Sequence, residues 1–325
     1  MRLLKIVPDN TNLPFVSLRK WAFALTMLLS IAAIALVFTQ RLNLGVDFVG
    51  GLMIEEKFSS PPSTDKLRQA VDRLNLGEAR LQTVGTDGKT ISIKLPPPKS
   101  NEKDATNKVV QAVQVAVNKV YPDATFSKQD AVSGKVSGEL IQNGILAVVL
   151  AVLGIGLFAI VRFEWQFGVS TVVAIVHDVL MTLGFFALTQ LEFDLNIVAA
   201  VLTIIGYSIN DKIVIDDRIR ENMRRYRKME MPQIIDLSVN ETLPRTVMTS
   251  LTILLALFAL LIFGGHVLRA FTAAMILGVF VGTYSSIYVS SSLLISLGLR
   301  AEPKGEATAT AAAAKAERVA FKDIP

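Results

Sequence analysis

The sequence predicts an α-helical polytopic membrane protein: six transmembrane helices plus one small α+β domain, with the β-α-β-β-α-β order of a ferredoxin-like unit. Three observations carry that prediction. First, the 325 residues are 51% hydrophobic and 19% charged, with a mean hydropathy of +0.47, and the charges are bunched between long apolar runs. Second, residues 40–138 interrupt those runs with polar, charged sequence. Third, Lys and Arg concentrate beside alternate loops.

The runs are taken in order. Residues 1–19 carry Arg2, Lys5 and Arg19, with Lys20 following, ahead of the apolar residues 21–39. That run is too long for a signal-peptide core, and it reads as an uncleaved first span over 20–39 with a cytoplasmic N-terminus. In the insert, residues 52–58 have strand character after Gly50 and Gly51. Leu67, Ala70, Val71 and Leu74 repeat at helical spacing behind an N-cap at Ser63. Residues 81–84, a Gly-Thr-Asp-Gly turn at 85–88 and residues 90–95 read as a hairpin. Val109, Ala112, Val113, Ala116, Val117 and Val120 mark a second helix, and residues 125–132 a last strand; Pro96–Pro98 divides the unit into halves. No catalytic constellation lies here, so the domain reads as a binding or coupling module.

Residues 139–299 then hold five more spans, near 140–161, 167–189, 196–227, 246–263 and 270–299. Each is long enough to cross a bilayer, which takes about 20 residues. Arg162 and the group Arg218, Arg220, Arg224, Arg225, Arg227 and Lys228 share the side of the N-terminus. Both termini are therefore expected in the cytoplasm, with a basic cytoplasmic segment at 217–245 lying over anionic headgroups and the α+β domain in the periplasm of a bacterial inner membrane. The tail 300–325, rich in Ala, Lys and Glu, is expected to be mobile.

Composition excludes several classes. There are no cysteines, so disulfides, thiolate metal sites and cysteine nucleophiles are ruled out. His177 and His266, the two histidines, are too far apart in sequence to suggest a metal site, and no cofactor is implied. The net charge of +5 lies beside membrane spans, without the basic-aromatic interleaving of a nucleic-acid partner.

The candidate functional residues are the polar groups inside the spans. An Asp or Lys near the centre of a membrane helix costs roughly 2.5–3.5 kcal/mol, so such residues usually face a bundle interior or a wet path. Asn210, Asp211 and Lys212 interrupt the fourth span, and Asp211 is the leading candidate for proton transfer. Burial favours its neutral acid, a nearby cation favours its carboxylate, and a carboxyl group between those pulls can load and unload a proton. Tyr207 and Ser208, one turn earlier, are placed to hydrogen-bond it. Arg245 and Lys212 are its candidate cations. The competing reading makes Asp211 a cap or pair at the cytoplasmic end, with Lys212 snorkelling to the interface. His177 and Asp178 sit near the middle of the third span. Neighbours point about 100° apart on a helix, so the two either divide, with Asp178 inward and His177 on a neighbouring span, or form a structural pair. Gly278 and Gly282 make a Gly-x-x-x-Gly helix-contact pattern in the sixth span.

These residues resemble a known family. Gly-Val-Asp-Phe-Val-Gly-Gly at 45–51, Val-Ser-Gly-Glu-Leu-Ile-Gln-Asn-Gly at 136–144 and Arg-Phe-Glu-Trp at 162–165 are similar to the SecF subunits of bacterial SecD–SecF export complexes. So are His177-Asp178, Leu-Glu-Phe-Asp-Leu at 191–195, the run 202–222 around Gly-Tyr-Ser-Ile-Asn-Asp, Leu-Pro-Arg-Thr at 243–246 and Gly-Thr-Tyr-Ser-Ser-Ile at 282–287. The resemblance implies membership of the proton-driven resistance-nodulation-division class and a SecD partner. It also implies association with the SecYEG channel, YajC and YidC, and use of the proton motive force to draw secretory preproteins out. It places Asp211 at the aspartate implicated in proton transfer and Arg245 at the basic residue implicated with it. Lys212 and Asp216 depart from the family pattern and are spaced to form an i,i+4 pair.

Three other classes compete with this one. An intramembrane aspartyl protease needs a Gly-x-Gly-Asp setting, whereas Val176-His177 and Ile209-Asn210 precede the two aspartates here. A non-conducting membrane scaffold would use the polar residues only to knit helices. A small-molecule antiporter is disfavoured by the small outer domain.

Overall fold

In a computed structural model of the chain, residues 8, 11–77, 79–85, 87–97, 105–265 and 267–299 are described. Arg2, Lys5, Thr86, Pro98, His266 and the tail lie outside them. Among the described residues, six helices are long and apolar enough to cross a membrane, and a four-stranded sheet forms a separate small domain.

Helix α1 (Arg19–Gln40) is the first span, entered through a 3-10 turn at Val16–Leu18. A one-turn helix, α2 (Val46–Val49), leads to β1 (Gly51–Lys57), α3 (Thr64–Asp72), β2 (Arg80–Val84), β3 (Thr90–Leu95), α4 (Ala105–Val120) and β4 (Thr125–Val132). The strands lie in the order β2-β3-β1-β4, all antiparallel. Alternation along β1 sends Leu52 and Ile54 to the helix-covered face, opposite Leu95 and Ile93 on β3. There they meet Leu67 and Val71 of α3 and Val110, Val113 and Val117 of α4. Val120, expected on the inner face of α4, is exposed, and Val110 takes up the buried role. Ser63 is the N-cap residue of α3, but its side chain makes no capping bond.

The Gly50–Gly51 pair joins this domain to the spans. Both glycines have positive φ, +74° and +120°. A Cβ on Gly51 would stand 2.3 Å from the Leu95 carbonyl oxygen, and one on Gly50 3.2 Å from Gly134 Cα. Only glycine accepts both the left-handed backbone and that approach.

The remaining spans are α5 (Gly134–Arg162), α6 (Trp165–Thr189), α7 (Leu195–Arg225), α8 (Met231–Phe263) and a last helix that changes pitch: α9 (Arg269–Tyr284), a π-helical turn Ser285–Ser290, and α10 (Ser291–Ser296). Two features differ from the sequence reading. The fifth helix starts at Met231 rather than near 246, with proline in its first turn and Pro244 in its interior. Arg218 near the end of α7 donates to Glu241 (2.7 Å) and Glu221 (2.6 Å), so part of the basic segment is an ion-paired helical hairpin. The π turn was not expected.

The bundle meets the α+β domain through the α6–α7 loop. Gly45 N–H donates to the Phe193 carbonyl (2.9 Å) and Phe193 N–H to that of Asn43 (2.8 Å). Asp47 accepts from Leu195 N–H (3.0 Å), and Lys94 on β3 pairs with Glu192 (3.1 Å).

Candidate functional site

The polar residues of the spans collect where α6, α7 and the π turn pack together. α9 comes close to α7 because it presents no side chain at two positions. A Cβ on Gly278 would lie 2.4 Å from Ile204 Cγ1, and one on Gly282 would lie 3.0 Å from Ser208 Cβ. The Gly-x-x-x-Gly pattern thus marks the face on which the sixth span meets the fourth.

Asp178, fully buried, lies at this junction. Its Oδ2 accepts hydrogen bonds from Ser208 of α7 (2.6 Å) and Ser285 of the π turn (3.0 Å). Its Oδ1 lies 3.1 Å from His177 Nδ1. His177 therefore bonds its own neighbour in sequence rather than another span. Ser208 serves Asp178 rather than Asp211, because α6 and α9 pack closely on this face of α7 and bring the Asp178 carboxyl within 2.6 Å of its hydroxyl.

Asp211 is 3% exposed, and its Oδ2 is buried with no hydrogen-bond partner. Tyr207, one turn away, instead bonds Ser250 of α8 (2.8 Å), which continues to Thr283 of α9 (3.0 Å). Arg245 is exposed on α8. Among the described residues it forms no ion pair with Asp211 within 4.0 Å. Asn210 faces outward, in line with exposed Thr203 and Gly206 on the same helix.

Lys212 does not snorkel to an interface. It is 1% exposed and donates to Asp216 Oδ2 (2.8 Å), Ser170 Oγ of α6 (3.1 Å) and Ser290 Oγ of the π turn. This is the i,i+4 pair allowed by the spacing. It removes Lys212 as a counter-charge for Asp211. Ser170, Ser285 and Ser290 were not singled out from the sequence. The available signal was the run of serines at 285–286 and 290–292 inside an apolar span, since hydroxyls at membrane depth need partners.

A carboxyl group that is enclosed and has an oxygen without a fixed donor can change protonation there without breaking an existing bond. Asp211 has that arrangement. Asp178 has the opposite one, with fixed partners on both carboxyl oxygens.

Comparisons with known proteins cover the same segments. Residues 112–300 match the family described as "Protein export membrane protein SecD/SecF, C-terminal", and residues 35–61, which include Gly50 and Gly51, match the "SecD/SecF GG Motif". The chain is 40% identical over 311 residues to the protein translocase subunit SecF of Cereibacter sphaeroides, covering 94% of this chain and 96% of that one. It is 39% identical over 292 residues to that of Rickettsia rickettsii, covering 90% and 94%. Among solved structures it is similar to SecDF, a translocon-associated membrane protein from Thermus thermophilus, with a TM-score of 0.80 at 36% identity over 90% of this chain. A SecDF structure in a super-membrane-facing form gives a TM-score of 0.64 at 34% identity. The chain spans 40% of each of those SecDF chains.

Proposed function

Because the chain belongs to the SecD/SecF family of protein export membrane proteins and matches its SecF subunits over nearly their whole length, we propose that it is a proton-coupled accessory subunit of the Sec translocase. In this reading it works with SecD, beside the SecYEG channel, YajC and YidC, at a late stage of preprotein movement across the bacterial inner membrane. Both termini are cytoplasmic, and the β-α-β-β-α-β domain is a ferredoxin-like module in the periplasm; its strand order and antiparallel pairing support that classification.

The observation that carries the reading is Asp211, enclosed in the bundle on α7 with an oxygen that has no partner. Protonation of Asp211 from the outer side, with Arg245 setting the balance between its two states and Asp178 holding the helices around it, shifts the packing of α7 and moves the docked domain. One charge crossing 100 mV releases about 2.3 kcal/mol, enough to bias such a movement by a few tens-fold and far short of bond chemistry. The exposed line of Thr203, Gly206 and Asn210 on α7 supports a helix partner at membrane depth, since small and polar residues seldom face lipid. SecD is that partner. The chain acts as a transport accessory rather than an enzyme in this reading, with Asp178 hydrogen-bonded to Ser208 and Ser285 as a structural tie between helices.

The test is export into inverted membrane vesicles with and without an uncoupler, in the presence of native chain, Asp211→Asn chain or no chain. Proton-dependent stimulation seen only with the native chain is expected. The saturated Asp178 network favours a second reading, a passive scaffold that only holds partners. Stimulation indifferent to uncoupler would establish it.

A further inference from the structure

The Lys212–Asp216 pair is a self-contained unit. An ammonium has three donors, and Lys212 directs them to three oxygens on three packed segments: Ser170 on α6, Asp216 on α7 and Ser290 on the π turn. All four residues are at most 1% exposed. A fourth oxygen, Asp216 Oδ1, is buried there without a partner. Oxygen atoms converging from two hydroxyls and a carboxylate are the donor set that hard, weakly polarising cations prefer. Here the positive charge comes from the chain itself.

We propose that Lys212 is a tethered cation. Its ammonium fills a cage formed by Ser170, Asp216 and Ser290 that would otherwise take a free monovalent cation such as sodium, and so leaves the proton as the ion this bundle exchanges. The statement about ion choice rests on the proton-coupled reading of Asp211; the cage itself does not. Lys212 is a positioning and specificity-determining residue in this scheme. It neutralises Asp216, ties the π turn to α6 and α7, and leaves Asp211, the adjacent residue, without a fixed partner.

The test is thermal unfolding of the purified full-length chain in detergent, at matched ionic strength, in sodium, lithium, choline or methylammonium chloride. The native chain is expected to unfold at the same temperature in all four. Lys212→Ala should lose about 5 °C or more in choline, because one partner of a buried pair is left uncompensated. Sodium, lithium or methylammonium should return at least half of that loss. Lys212→Ala/Asp216→Asn, which removes the stranded charge, should show no difference among the salts. Should Lys212→Ala fail to accumulate, accumulation of the double variant still supports the proposal, since only the charge separates the two. The proposal is overturned if the native chain is stabilised selectively by sodium, if Lys212→Ala gains nothing from small cations over choline, or if both variants fail alike. Export plays no part in these readouts, so loss of the proton-coupled reading and loss of the cage are told apart.

Discussion

Ser208 on α7 donates a 2.6 Å hydrogen bond to Asp178 on α6, while Asp211, three residues further along the same helix, keeps a buried oxygen with no partner. The two membrane carboxyl groups therefore have different work. Substitution separates them. Asp178→Ala strands the hydroxyls of Ser208 and Ser285 together with His177, and should cost about 3 kcal/mol of stability. Asp211→Asn keeps the shape and removes the ionisation, so unfolding should shift by no more than about 1 kcal/mol while proton-dependent export is lost. An Asp211→Asn strain exporting at the native rate would refute the assignment.

A second prediction concerns Glu56 in the α+β domain. It is 2% exposed and stands opposite Ile91 on β3, with Oε1 unpartnered. Burial raises its carboxyl from 4.5 to about 7. The folded state therefore holds a proton that the unfolded chain releases. The contribution of Glu56 to stability is greatest below pH 4.5, falls by up to about 1.4 kcal/mol for each pH unit between 4.5 and 7, and levels off above. Glu56→Leu should raise stability at pH 7 and flatten that slope. Unfolding of both chains across pH 4 to 8 checks it.

The Gly-Gly junction yields a third. Gly51→Ala adds a Cβ at a φ of +120°, 2.3 Å from a carbonyl oxygen. Strain and clash together should cost about 3 kcal/mol. The loss should fall on the α+β domain, read as faster amide exchange along β1 and β3 with the spans unchanged.

The fourth tests helix contact. Gly278→Ala drives a methyl group into Ile204 and should destabilise the bundle by about 2 kcal/mol. Adding Ile204→Ala removes the obstructing atoms, so the double variant should lose less than the sum of the two single losses.

Much of this was legible beforehand because it depends on local pattern. Six apolar runs and the bounds of β3 and β4 followed from periodicity, and the i,i+4 spacing of Lys212 and Asp216 already allowed their pairing. Val110 and Val120 exchanged roles because a 16-residue helix can rotate by part of a turn and still bury valines. Glu56 went unnoticed because a single acid in a strand shows its direction only once the register is known.

The sequence by itself determined which segments are long and apolar enough to cross a bilayer, the element order of the inserted domain and the family, since length, hydropathy and motif are properties of consecutive residues. Which hydroxyl reaches which carboxyl was decided by tertiary structure alone. Ser208 was equally placed by spacing to serve Asp211, and only the close approach of α6 and α9 to α7 gave it to Asp178. Hydrogen bonds between helices act over about 3 Å, and sequence spacing says nothing of the distance between one helix and the next.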